Sequence, residues 1–505
     1  MLLSSSCTNK HIDTIDDNYR VFYQIFVGSF SDSNNDGIGD LRGIINRFDY
    51  LNDGNSESKT SLGIQGIWLS PIFESPSYHK YDVTNYYKID EDFGTMDDLK
   101  ELIELAHSRN VKVILDLAIN HTSTDNEWFK QFKNAHINGE TNNHYYDYYV
   151  YKNADEVIPG KTWNYLGKTE NYECNFSTSM PELNFDNPVV RQEVYEVAKY
   201  YLDLGVDGFR FDAAKYIYLG DDKQSTDFWA EFINKLQKIK EDVYVVGEVW
   251  SSDNETYTYI SALNCFNFTL ANAEGKIAET AKNGDVNLYT KYIVNYQNKI
   301  KSLNEDAMLM PFISNHDMDR SAGFLMMANK FPYVAANLLL LGPGSPFIYY
   351  GEEIGMKGSR GGSNTDANRR LAMRWGDDDT VNNPEGSTFE EKKQTNGTVK
   401  EQLENEDSLL NYYRKLIDLR NKYPEIARGD YDYYKDSTND MGGFIVTYND
   451  DVTGIFHNCS LTNEQSVNLS NYDFEQIADY IGCSDIAKLE NNILTLGPQT
   501  SAILK

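Results

Sequence analysis

Carboxylates that close short apolar runs carry the first chemical signal in this sequence. Gly205-Val-Asp-Gly-Phe-Arg210-Phe-Asp212 reads as one strand, and Val243-Tyr-Val-Val-Gly-Glu248-Val-Trp250 as the next. Residues two apart in a strand share a side, so Arg210 lies beside the Asp212 carboxylate and keeps it ionised, as a nucleophile requires. Glu248 ends its run among apolar neighbours. Burial next to another negative charge raises its pKa and leaves it protonated near neutral pH. Neighbouring strand tips stand about 4.7–4.9 Å apart, close to the separation of about 5–5.5 Å at which two carboxyls cleave a glycosidic bond with retention. Asn315-His316-Asp317 follows Phe312-Ile313 and adds a third carboxylate, suited to binding hydroxyls and to raising the acid's pKa. His121 and His316 can donate to sugar hydroxyls, and no His/Cys/Asp cluster has the spacing of a zinc site.

The elements that must position these groups alternate from about residue 20. Apolar runs at 21–27, 65–71, 111–119, 206–212, 243–249, 308–313 and 346–350 are separated by helical patterns at 96–109, 189–204, 227–239, 288–301 and 332–341. A weaker run at 265–270 brings the strand count to eight. The expected fold is α/β, a (β/α)8 TIM barrel. Asn120-His121, Asp212, Glu248, Asn315-His316-Asp317 and Glu352-Glu353 all fall at C-terminal strand ends, where barrel enzymes place their chemistry. Residues 122–187 show no helical period and read as an inserted subdomain after strand 3. Residues 376–405 read as a surface excursion, and short alternating runs from about 427 as a C-terminal antiparallel β-sandwich. The resulting division is an N-terminal tail (1–19), the barrel (20–121 and 188–425), the insertion (122–187) and an all-β domain (426–505).

Bulk composition narrows the partners. A net charge of −31 over 505 residues argues against nucleic acid and anionic lipid, and no apolar stretch is long enough to span a membrane. A neutral substrate is expected, and 37 tyrosines suit sugar rings, which are apolar on their faces and polar at their edges. Five widely spaced cysteines without a CxxC pair are expected as free thiols. Leu2-Leu3-Ser4-Ser5-Ser6-Cys7 resembles the end of a bacterial lipoprotein signal without its charged start. The expectation is therefore an extracellular or cell-surface monomer, with a lipid anchor at Cys7 and a cytoplasmic location both left open.

One loop has the donors of a hard cation. Asp32, Asn34 and Asp36 alternate, Gly37 follows, and the Ile38 carbonyl and Asp40 complete an EF-hand-like front half that would bind calcium. The closing bidentate Glu is missing, since Gly43 stands in its place.

Taken together, Asp116-Leu-Ala-Ile-Asn120-His121, Gly208-Phe-Arg210-Phe-Asp212-Ala-Ala-Lys215, Gly247-Glu248-Val-Trp250 and Ser314-Asn-His316-Asp317 resemble, in order, the signature stretches of the α-amylase family of glycoside hydrolases. Met180-Pro-Glu182-Leu-Asn184 is similar to the fifth. The resemblance implies Asp212 as nucleophile, Glu248 as proton donor and Asp317 as transition-state stabiliser. It implies sugar contacts from His121, Arg210 and His316, a stacking Tyr81 in the Tyr81-Asp82 pair, Lys215 toward the leaving group, and a stabilising calcium at the Asp32 loop. A second calcium through Asn120 has no identifiable partners in the sequence. Three positions depart from the family pattern: Tyr216 after Lys215, Lys80 where Gly is usual, and Glu182 where Asp is more common. Tyr78 stands where exo-acting relatives carry an Asp, which favours an open cleft and endo-hydrolysis of α-1,4 bonds in starch-like glucans. Glucan transfer or oligo-1,6-glucosidase and neopullulanase-type action with the same triad is the alternative.

Overall fold

The computed structural model describes residues 15–361, 365–377, 379–390 and 393–505. Cys7 and most of the N-terminal tail lie outside them. Seven parallel strands form one sheet: β1 (Phe22–Ile25), β2 (Gly66–Leu69), β3 (Lys112–Leu117), β4 (Gly208–Phe211), β5 (Tyr244–Gly247), β6 (Asn264–Cys265) and β7 (Phe347–Tyr349). Their order is β6-β5-β4-β3-β2-β1-β7, so chain neighbours are sheet neighbours. Two isolated parallel bridges, Phe266 to Met310 and Phe312 to Phe347, seat residues 310–312 between β6 and β7 and close the ring. The barrel thus has its eighth stave in the run read at 308–313, pared down to two bridging residues. The weak run at 265–270 contributes only its start.

Helices wrap the outside because their apolar residues recur at helical spacing and their ends are capped. Met96–Ser108 begins with a capping box from Thr95 and Asp98, and it buries Leu99, Leu102, Ile103 and Ala106. Asp222–Gln237 starts five residues earlier than the apolar pattern suggests, because Asp221 accepts from Gln224 N and sets the N-terminus there.

Residues 122–187 differ from their aperiodic reading. They contain the helix Glu127–Asn138, started by Asn126 and stopped by Gly139 in the left-handed conformation, with Phe129, Phe132, Ala135 and His136 buried. A three-stranded antiparallel sheet follows (Tyr151–Asn153, Glu170–Glu173, Trp163–Gly167). The aromatic and polar residues that obscured the helix are the ones packed into this small core. Residues 376–405 are likewise less peripheral than their charge suggests: Gln394 is buried and donates to the Ala372 carbonyl, and Thr398 and Glu401 box the start of Val399–Leu403.

Beyond the barrel a five-stranded and a three-stranded antiparallel sheet enclose Met441, Phe456, Val467, Leu494 and Leu496. The first sheet's long hairpin turns at Asn449-Asp450, both at positive φ, which these residue types tolerate. Among the described residues Cys174, Cys265, Cys459 and Cys483 are free thiols, and no helix is long and apolar enough to cross a membrane.

Candidate active site

Strand parity builds the site. Phe22, Trp68, Ile114, Tyr244, Val246 and Phe347 pack together inside the ring. Two residues further along their strands stand Gln24, Asp116 and Glu248, and the same side of the fourth strand carries Arg210 and then Asp212. Gly208 lets the fourth and fifth strands approach closely, since a Cβ there would lie 1.8 Å from the Tyr244 carbonyl oxygen. Phe211 pairs with Gly247, so Asp212 and Glu248 each stand one residue beyond the last registered pair of adjacent strands.

The carboxylates converge on one cation. Arg210 is fully buried, with Nη1 2.8 Å from Asp116 Oδ1 and 2.7 Å from Asp212 Oδ1, and Nη2 3.1 Å from Glu248 Oε1. Glu248 Oε2 accepts from the Ala213 amide at 3.0 Å, which holds the turn after Asp212. Ala213 sits there at φ +49°, a strained value for a residue with a Cβ. Burial, joined by the charges of Asp212 and Asp317, pushes Glu248 up to about 8 against the pull of Arg210. Burial also raises Asp116 to about 7. Asp317 goes the other way: burial would raise it, but His316, Arg370 and Arg210 outweigh that and hold it at about 2. The cleft therefore offers a protonated carboxyl and an ionised one in a single water-poor space.

Polar side chains surround this core. Tyr81 stacks on His316 with ring centres 5.6 Å apart at 6°, and its hydroxyl donates to Asp116 at 2.8 Å. His316 Nε2 lies 3.1 Å from Asp317 Oδ2, and Arg370 Nη2 lies 2.8 Å from Asp317 Oδ1. His121 is buried with an Nε2 that makes no hydrogen bond among the described residues, leaving it a donor or acceptor for a ligand.

A family model for the α-amylase catalytic domain matches residues 24–429. The chain belongs to the α-amylase family of glycoside hydrolases. It is 36% identical over 498 residues to α-amylase 3 of Dictyoglomus thermophilum, which covers 96% of this chain and 93% of that one. The solved Amy13B of Eubacterium rectale superposes with a TM-score of 0.90 at 35% identity, covering 97% and 96% of the two chains. A 4-α-glucanotransferase of Thermotoga maritima is 33% identical over 411 residues, covering 77% and 84%. Named activities among the relatives thus include transfer as well as amylase action.

Other residues of this α-amylase-family chain fall less close to the carboxylates. Asp82 is buried, and its Oδ1 accepts from the Ser75 hydroxyl at 2.7 Å and from that of Ser77, so it holds the Tyr81 loop together. Lys80 takes φ +62°, the left-handed value that a glycine adopts without strain, and pairs with Asp90 at 2.9 Å. Lys215 reaches Glu255 at 3.2 Å on the far lip. Asn120 donates to Glu182, whose backbone bridges that of His121 and whose burial raises its carboxyl to about 8. That pairing pins the insertion's exit to its entry.

Glu352 and Glu353, read at a strand end with the rest, point away from the chemistry. Burial raises both, and they accept from Ser314, Tyr413, Tyr23 and Tyr50.

Sequence reasoning missed Arg370 and Gln24 as parts of the site. Arg370 lies in an irregular segment after the last barrel strand, inside the doublet Arg369-Arg370, and no periodicity marks it. Gln24 carries one weak sign, a lone polar residue inside the apolar run of the first strand.

The Asp32 loop has the all-oxygen donor chemistry that suits calcium. Asp32 accepts from the amides of Asn34, Asn35 and Gly37, and Asn34 and Asp36 accept from those two residues on. Burial raises Asp32, but those amides outweigh it and hold the carboxyl below its ordinary range. Asp40 instead caps the helix Leu41–Asn46 through Gly43 N and accepts from Ser33. Among the described residues no three His, Cys, Asp or Glu side chains gather into a metal cluster.

Proposed function

We propose that this enzyme cleaves internal α-1,4-glucosidic bonds of starch-like glucans with retention of configuration. The observation that carries the reading is the shared guanidinium, with Asp212 and Glu248 on adjacent strand tips and Glu248 raised by burial. Glu248 hands its proton to the glycosidic oxygen as Asp212 attacks the anomeric carbon and the sugar leaving group departs. The resulting carboxylate of Glu248 then takes a proton from water, whose oxygen displaces Asp212 from the anomeric carbon and restores both groups. Asp317 binds sugar hydroxyls beside the developing positive charge, with His121 and Arg210, while His316 steadies Asp317 and Tyr81 supplies an apolar face.

Two features support endo action. Tyr78 is 39% exposed, with its hydroxyl 3.0 Å from Arg370 Nη1, so the cleft's far end carries a ring rather than a carboxylate. Trp250, two residues past Glu248, is half exposed and stacks on Phe268 with ring centres 5.1 Å apart at 13°, a platform for a sugar on the leaving-group side. Digestion of amylose, pullulan and isomaltooligosaccharides, with oligosaccharides blocked at their ends, tests this. Cleavage of the blocked chains with α-configured first products supports the reading, and glucose released singly from free ends overturns it. Longer products dominating at high maltooligosaccharide concentration assign the chain to transfer instead.

Because Glu248 acts as the acid in its protonated form, kcat/KM is expected to fall about tenfold per pH unit above about 8, the value to which burial pushes it. A flat profile beyond that point in a pH–rate series removes Glu248 from the role. We further propose that calcium binds the Asp32 loop for stability. EDTA is then expected to lower the melting temperature by several degrees (about 2–4 °C per kcal/mol in a large domain), restored by calcium and abolished in Asp36→Ala. An unchanged melting temperature argues against it.

A further inference from the structure

Gln24 lies buried on the first strand, with its amide nitrogen 2.7 Å from Nδ1 of His316. An amide nitrogen only donates, so Nδ1 must accept. The other ring nitrogen gives the same answer independently. Nε2 faces Asp317 Oδ2 at 3.1 Å and Tyr81 Oη at 2.6 Å. Ionised Asp317 only accepts, and Tyr81 already donates its proton to Asp116 at 2.8 Å, leaving its oxygen to accept as well. Nε2 must therefore carry a hydrogen. Burial holds His316 at about 3, so the ring is neutral and has one N–H to give.

We infer that Gln24 is a positioning residue that anchors the His316 ring through Nδ1 in its Nε2–H tautomer, so that the imidazole donates toward Asp317 and Tyr81 in the cleft. The charged and titratable groups around the ring are Asp317, Arg370, Arg210 and His79, with Tyr81 stacked on it and Trp68 edge-on. Among the hydrogen bonds of the described residues, Gln24 alone serves Nδ1. In the opposite tautomer the Nε2 lone pair would face a carboxylate oxygen and a hydroxyl oxygen at hydrogen-bonding distance. Asp317 or the ring would then have to turn aside. The kinetic part of this inference rests on the proposed role of Asp317; the tautomer does not.

Nitrogen-15 NMR of protein labelled at its eight histidines reads the state directly, with His316 assigned by the signal lost in His316→Gln. The wild type is expected to show an unprotonated Nδ1 and a protonated Nε2 across about pH 5 to 8, the range in which ordinary histidines change charge. A protonated Nδ1 overturns the inference whatever the enzyme cleaves. Gln24→Met keeps the length and removes the donor. Its Nδ1 is expected to lose the nitrogen-15 shift of a hydrogen-bonded acceptor while Nε2 stays protonated against its two acceptors, with kcat down about tenfold, as losing one buried hydrogen bond implies, and KM little changed. Gln24→Glu offers Nδ1 an acceptor, so a second ring proton is held and the pH profile gains an ionisation absent from the wild type. Wild-type ring shifts and kcat in folded Gln24→Met would sink the proposal.

Discussion

Asp212→Asn is expected to lower turnover of amylose by at least about a thousandfold, the order seen when a nucleophile that works within a unit is lost. The amide keeps the size and the contact with Arg210 but cannot form the covalent intermediate. Glu248→Gln should lose about 10²–10⁴-fold on the same substrate. The two variants separate when the leaving group changes. An aryl glycoside with an acidic phenol needs little protonation, so Glu248→Gln should regain most of its first-step rate there, while Asp212→Asn should stay inactive. The alkaline fall should also vanish in Glu248→Gln with that substrate. Equal losses on both substrates would contradict the division of labour, and near wild-type turnover in Asp212→Asn would place the nucleophile elsewhere.

The second large effect belongs to Arg210. Its guanidinium touches Asp116, Asp212 and Glu248 within 3.1 Å, and all of its surface is buried. Arg210→Met leaves those carboxyls facing each other without a cation. Breaking one buried pair costs about 3–5 kcal/mol, and here three carboxyls lose the same cation. The loss depends on pH in a definite direction. Unpaired buried carboxyls have folded pKa values above their unfolded ones, so they destabilise once pH exceeds the unfolded values. The variant's deficit should therefore be smallest in acid, where the carboxyls are neutral, and grow toward neutral pH. Thermal unfolding of wild type and variant at about pH 4.5 and 7.5, on either side of the ordinary carboxyl-to-neutral range, measures this. A deficit independent of pH would show that Arg210 contributes packing and little charge compensation. Arg210→Lys should recover part of the stability but little activity, because one ammonium cannot replace a fork that holds two strand tips at once.

Much of the chemistry was legible along the chain because it depends on strand parity. Arg210 two before Asp212, and Glu248 two after an inward valine, follow from a period that any extended segment obeys. Helices with clear caps and apolar periods were legible for the same reason. The helix Glu127–Asn138 was not, since its buried face is made of aromatics and a histidine. Nor was the meaning of Glu352-Glu353. A strand end supplies a position but not a direction, and these two carboxyls turn toward tyrosines under the cleft.

What the amino-acid order determined by itself was which residues could share a strand face and stand at a strand's end, because those are local consequences of backbone geometry. Which strands became neighbours, and therefore which charges met, was decided only by closure of the ring. A pKa depends on burial and on charges a few ångströms away, and those come from distant parts of the chain. Arg370 on Asp317 and Gln24 on His316 are contacts of that kind. They join residues 53 and 292 positions apart, and no local spacing encodes them.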